Sequence, residues 1–129
     1  MKNSRREGFS DVQTYNAQTL AYIGDAVYEL RVREHLLKEG RTKPRNLHSA
    51  AIERTNAAAQ VRALEKIQPM LTDEEKAIVK RGRNAPLARK SRKEGIMTYK
   101  NATGLEALVG HLYLNGHASR LETLFEVML

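Results

Sequence analysis

The chain has 129 residues, with 22 Lys and Arg against 15 Asp and Glu, a formal charge of +7 and no cysteine. Disulfides, thiolate metal sites and cysteine nucleophiles are thereby excluded, and the basic balance favours an anionic partner, either nucleic acid or a membrane surface. The length predicts a single domain over 1–129 with a core of its own. The opening Met1-Lys-Asn-Ser-Arg-Arg-Glu-Gly-Phe-Ser10 lacks an apolar signal region, and no apolar run approaches the roughly 18 residues that span a bilayer. A cytoplasmic protein without a membrane partner is expected.

In chain order, the periodicity predicts a first long helix over about 15–38. Its Leu20, Ile23, Gly24 and Val27 follow the spacing of a buried stripe, and Gly40 stops it. Pro44 opens a second helical region that continues to about Ile67, where Pro69 ends it. The Ala50-Ala51-Ile52 and Ala57-Ala58-Ala59 clusters imply close helix packing. Thr72-Asp-Glu-Glu75 is a capping box that starts a third helix, with acidic residues well placed for the helix dipole. A fourth covers about 102–115 and ends at Gly116. The last starts at Ser119, with Glu122 completing a second capping box. No internal repeat and no useful strand-like alternation is present, so the expected class is all-α.

Two features depart from a packed helical domain. From Lys80 to Lys93 there are seven Lys or Arg (Lys80, Arg81, Arg83, Arg89, Lys90, Arg92 and Lys93) and no acid. With Gly82, Pro86 and Gly95 nearby, this reads as a helix end followed by a mobile basic loop over about 82–100. Ordinary surface charge runs mix signs, and this one does not. The second feature is a carboxylate within each of the two most apolar stretches, Asp25 in Thr19–Leu30 and Glu106 in Ala102–Gly116. An ionised carboxylate in apolar surroundings is costly unless paired, hydrogen-bonded or holding a metal.

Asp25 shares a helix ridge with Ala21 and Glu29, and Gly24 beside it costs about 1 kcal/mol relative to alanine. That cost suggests that another backbone approaches closely. Leu105, Leu108, Val109 and Leu112 form the other stripe, with Glu106 at its edge and Gly110 one turn on. Packing the two helices together brings Asp25 and Glu106 to one point. Taken alone, Glu106 also reads as a partner for its helix N-terminus. Oxygen-only ligands suit Mg2+, which commonly takes one or two carboxylates plus waters and substrate phosphate. Such a metal activates water and neutralises phosphoryl charge, the chemistry of phosphodiester hydrolysis. No His-Glu-x-x-His, no Glu-x-x-His and no phosphate-binding Gly-x-x-x-x-Gly-Lys-Ser/Thr loop is present, and the four histidines are scattered.

At Ile23-Gly24-Asp25-Ala26-Val27 and Leu105-Glu106-Ala107-Leu108-Val109-Gly110 the chain resembles the catalytic domain of the ribonuclease III family. It is more similar to the compact branch, Mini-ribonuclease III, through Leu20 to Glu29, Arg81-Gly82-Arg83-Asn84, and Tyr99 through Thr103 to Glu106-Ala107. The resemblance covers about 16–114. It implies an all-α endonuclease domain that acts as a homodimer on double-stranded RNA with Mg2+, Mn2+ serving as a substitute. It further implies 5′-phosphate and 3′-hydroxyl ends, and a role in maturing the large-subunit (23S) ribosomal RNA precursor. Asp25 carries over as catalytic and metal-binding, and Glu106 likewise. The additional acids of the large enzymes correspond to Ala21, Thr103 and Gln18, which leaves the number of metals open.

Glu29 and Thr103 are candidates for support behind the metal ligands, although Glu29 also reads as a solvent-facing charge. No double-stranded RNA-binding domain is expected, so Arg81, Arg83, Asn84, Arg89, Lys90, Arg92 and Lys93 are the candidate RNA contacts. Duplex RNA is held by shape, 2′-hydroxyls and phosphates. The alternative reading is a catalytically inactive helical RNA-binding or ribosome-assembly module. A DNA-binding regulator would need an exposed base-reading helix, whereas the most basic segment reads as a loop.

Overall fold

A computed structural model describes residues 8–9, 11–86 and 95–129, and these form an all-α domain of six helices. Helix α1 spans Ala17–Lys38, α2 Pro44–Thr55, α3 Ala57–Ile67, α4 Asp73–Asn84, α5 Ile96–Leu114 and α6 Ala118–Met128. Short 3-10 turns cover Val12–Thr14 and Gln68–Met70.

The expected first helix forms, two residues shorter, because the Asn16 side chain caps it by accepting from the Thr19 N–H at 2.8 Å. Its buried line runs through Leu20, Ala21, Gly24, Tyr28, Val32 and Leu36, while Ile23 and Val27 are only partly covered. At its end Arg41 N–H donates to Leu36 O and Gly40 N–H to Leu37 O. Gly40, at φ 89°, takes the left-handed position this motif requires. Gly116, at φ 73°, closes α5 in the same way.

The single helical region expected from Pro44 to about Ile67 is instead two helices. Asn56 leaves the helical conformation at ψ 164°, and its side chain accepts from the Ala59 N–H at 2.8 Å. A residue that caps so well competes with continuation of the helix. The Thr72 capping box forms as expected: Glu75 N–H donates to the Thr72 hydroxyl, and Thr72 N–H donates back to Glu75. The same Glu75 carboxylate accepts from Arg120 of α6 at 2.7 and 2.8 Å, so one buried acid caps α4 and ties it to α6. That guanidinium, together with the capping hydrogen bonds, holds the Glu75 carboxyl below its ordinary range.

Three other boundaries move. Helix α4 continues through Asn84 and α5 begins at Ile96, so the expected loop over about 82–100 is shorter. Lys80, Arg81, Arg83 and Asn84 are helical; residues 87–94, which include Arg89, Lys90, Arg92 and Lys93, lie outside the described residues. Glu106 consequently sits mid-helix rather than near a start, which removes the helix-dipole reading for it. The second capping box does not form, because Glu122 is taken by Arg31 of α1 at 2.6 Å and α6 starts at Ala118 without a side-chain cap.

Helix α5 is the centre of the domain. Ala102, Gly104, Leu105, Ala107, Leu108, Val109, Gly110, Leu112 and Leu114 are all buried along it. Helices α1, α4, α3 and α6 surround it, α1 most extensively. Each fully buried Leu or Val contributes roughly 1.5–3 kcal/mol of transfer free energy.

Candidate active site

The α1–α5 contact is made backbone to backbone. A Cβ built on Gly24 would stand 1.7 Å from the Glu106 carbonyl oxygen, and one on Gly110 would stand 1.9 Å from that of Leu20. This is the close approach that the cost of Gly24 in a helix interior suggested. Asp25 follows Gly24, so it lies at the margin of the contact and is exposed, and Glu106 lies opposite, partly buried. The two carboxyls are close enough to act on each other electrostatically and to share a proton.

Burial first, and then the charge and hydrogen bond of Asp25, push the Glu106 carboxyl up to about 8. Two carboxyls that must share a proton form a site in need of a positive charge. Tyr28, 1% exposed and one turn below Asp25, reports the same field: burial and the Glu106 charge raise its hydroxyl to about 12.

A third polar residue joins them that the sequence reading missed. Gln60 of α3, 2% exposed, donates from Nε2 to Glu106 Oε2 at 3.3 Å and to Thr55 O at 3.1 Å. Its position was legible by the same signal as the two acids. Gln60 occupies the first place of the stripe Gln60, Ala63, Leu64 and Ile67, where an apolar residue belongs.

Among the described residues no group of three or more His, Cys, Asp or Glu gathers to hold a metal. The donor set is therefore two carboxylates, oxygen ligands that fit a hard divalent cation keeping several waters, and do not fit zinc. The raised Glu106 carboxyl supports this fit, because a cation would relieve the repulsion that now retains a proton.

The remaining expected residues are placed as follows. Glu29 pairs with Arg33 at 3.3 Å on α1, and the Thr103 hydroxyl donates to Tyr99 O at 3.0 Å within its own helix. Gly82 packs on α5, where an added Cβ would stand 2.7 Å from Gly104 Cα and 3.0 Å from Thr103 O. Arg81 and Arg83 therefore flank a contact one turn from Glu106. Arg81 is exposed and donates to Tyr15 O at 3.3 Å, Arg83 is half-buried and Asn84 exposed. The Gln18 side chain of α1 donates to Pro86 O, which fixes where the basic segment leaves α4.

The arrangement is a pair of opposed carboxyls on two closely packed helices of an all-α domain. The sequence profile of the Ribonuclease III domain matches residues 18–117, which include Asp25, Gln60 and Glu106. The chain is 41% identical to a Mini-ribonuclease 3 of Streptococcus pneumoniae, over 88% of this chain and 91% of that one. It is 45% identical to a Mini-ribonuclease 3 of Desulfitobacterium hafniense, over 88% and 72%. A crystal structure of a Fusobacterium nucleatum protein superposes with a TM-score of 0.83 at 31% identity, covering 94% of this chain and 98% of the other. This chain belongs to the ribonuclease III family, in its Mini-ribonuclease 3 branch, and is an endoribonuclease.

Proposed function

We propose that this endoribonuclease cuts double-stranded RNA using Mg2+, or Mn2+ in its place, held by Asp25 and Glu106, with 5′-phosphate and 3′-hydroxyl products. Ribonuclease III enzymes act on duplex RNA, generally use a divalent metal and typically dimerise. The observation that carries the reading is the meeting of the Asp25 and Glu106 carboxyls at the margin of a glycine-to-glycine helix contact in a basic chain.

In the proposed mechanism Asp25, exposed, and Glu106, partly buried, would hold the cation from two helices whose spacing the glycine contact fixes. Glu106 would hold a cation in its ionised form. A bound divalent cation supplies charge neutralisation at a phosphoryl oxygen and a water of lowered pKa. Arg81, Arg83 and Asn84, with Arg89, Lys90, Arg92 and Lys93 beyond them, hold the phosphates without reading sequence. Glu29 and Thr103 remain proposed as support behind the acids.

The working form is proposed to be a homodimer. Tyr22, 77% exposed, and Leu30, 56% exposed, lie on one face of α1 with Ala26. Beside them Ile23, Val27, Tyr113 and Leu121 line a groove of about 550 Å³. An apolar face of this kind marks an interaction surface. Among the described residues no helix is long and apolar enough to cross a membrane. The proposed setting is the cytoplasm and the proposed natural substrate the 23S ribosomal RNA precursor.

The test is cleavage of a long, fully paired RNA in Mg2+ and in EDTA by wild type and Asp25→Asn. Mg2+-dependent cutting that the variant loses is the expected result. Tight, salt-sensitive binding without cutting, on that duplex and on ribosomal precursor RNA, would replace this reading with that of an inactive RNA-binding module.

A further inference from the structure

Gln60 reaches the acids from the break between α2 and α3. Asn56 ends α2 and caps α3, and the Thr55 carbonyl just before it is left without its usual helical partner. The Gln60 amide takes that carbonyl with one N–H and the Glu106 carboxylate with the other. The Thr55 carbonyl cannot donate, and the Glu106 carboxylate, in the ionised form that would hold a cation, accepts only. The NH2 end must therefore face both, and the amide cannot be turned over without losing two hydrogen bonds.

The cost of this arrangement is visible in the same side chain. Gln60 Oε1 is buried and has no hydrogen-bond partner among the described atoms. An apolar residue of similar volume on the Ala63, Leu64 and Ile67 face would carry no such cost. What the amide gains in exchange is the hold on Glu106, and it is anchored for that purpose to backbone that does not belong to the site.

We infer that Gln60 is a positioning residue: tied to the α2–α3 elbow through Thr55 O, it fixes the rotation of the Glu106 carboxylate so that Glu106 and Asp25 meet a divalent cation in one arrangement. This rests on the reading that Asp25 and Glu106 hold the cation. Hydrogen-bond partners of metal-ligating side chains orient the ligand and raise its affinity, and their loss typically costs about 10- to 100-fold in binding or activity.

The experiment measures Mn2+ binding to the full chain without RNA, by the decrease of the free-ion electron paramagnetic resonance signal, in wild type, Gln60→Met and Glu106→Ala. Gln60→Met is expected to bind Mn2+ about 10-fold more weakly. Its unfolding midpoint in EDTA should not fall below the wild-type value and its affinity for duplex RNA in EDTA should be unchanged, a pattern that a purely structural role would not produce. Raised Mn2+ should restore most of its cleavage rate. Wild-type Mn2+ affinity in Gln60→Met, with binding lost in Glu106→Ala, would overturn the inference while leaving the site intact. Equal binding by wild type and Glu106→Ala would overturn the site reading and the inference together. If Gln60→Met does not fold, the Gln60 side-chain amide resonances of the wild-type protein serve instead. They are expected to shift in an Mg2+ titration, and their constancy would overturn the proposal.

Discussion

Gly24 and Gly110 face each other across the α1–α5 contact with room for neither to carry a side chain. The clash a methyl group would meet is with backbone on both sides: Glu106 O for Gly24 and Leu20 O for Gly110. Backbone of two central helices cannot give way as a flexible side chain does. Gly24→Ala is therefore expected to force the helices apart and cost more than about 3 kcal/mol, the upper end for an overpacked core. Urea unfolding measures this. Because Asp25 is next to Gly24 and the clashing oxygen belongs to Glu106, any folded fraction should also lose Mn2+ affinity. A Gly24→Ala protein of wild-type stability would refute the close contact.

The Glu106 carboxyl, ordinarily at 4.5, stands at about 8 in the folded chain because of burial and the neighbouring Asp25. Between those two values the folded state holds a proton that the unfolded state has released, so stability falls as pH rises through that window. In EDTA the unfolding midpoint of the wild type should fall from pH 5 to pH 8 more steeply than that of Glu106→Gln, which carries no such group. A divalent cation that binds the ionised pair stabilises only the folded state, and most strongly where protons compete least. Added Mg2+ should thus raise the midpoint more at pH 8 than at pH 5. Parallel pH curves for wild type and Glu106→Gln would remove the shared proton from this account.

Some of this was readable without coordinates, for local reasons. Gly24 in a helix interior, the acids in apolar stretches and the Thr72–Glu75 box each carry their physics in adjacent residues. The errors come from partners distant in sequence or from competing local preferences. Glu122 has the right spacing from Ser119 for a cap, yet Arg31, 91 residues away, takes it. Asn56 is followed by three alanines, whose helix propensity conceals the break the Asn side chain makes. Helix α5 starts early on Ile96 and Met97, both exposed, so no buried stripe announces its first turns. Gln60 was missed although a polar residue on an apolar face was the signal in use, because only ionised residues were sought.

The apolar face of α1 bears on assembly. Tyr22 and Leu30 are two turns apart and both exposed, with Ala26 between them on the same ridge. A two-fold pairing would bury this ridge against its own copy or against the adjoining groove. Light scattering should give the mass of a dimer for the wild type and of a monomer for Tyr22→Asp with Leu30→Asp. Mn2+ affinity should persist in the monomer, since Asp25 and Glu106 of one chain meet without help from another. A wild-type chain that is monomeric at micromolar concentration would refute the homodimer, and a variant that remains dimeric would place the interface elsewhere.

RNA affinity should depend on the basic residues at the end of α4 and not on charge in general. Gly82 fixes α4 on α5 beside Thr103, so Arg81 and Arg83 stand to either side of that contact. Arg45 is an exposed cation at the start of α2, beyond the end of α1, whose Lys38 lies about 20 Å along the helix axis from Asp25. By analogy with duplex DNA, each phosphate contact contributes roughly 0.9 to the slope of log affinity against log salt. Arg81→Ala with Arg83→Ala should flatten that slope by one to two such contributions, and Arg45→Ala should leave it near the wild-type value. The four-fold neutralisation of Arg89, Lys90, Arg92 and Lys93 should flatten it further. Equal slopes for Arg45→Ala and the Arg81, Arg83 pair would mean that net charge alone draws the RNA and that the α4 end does not position it.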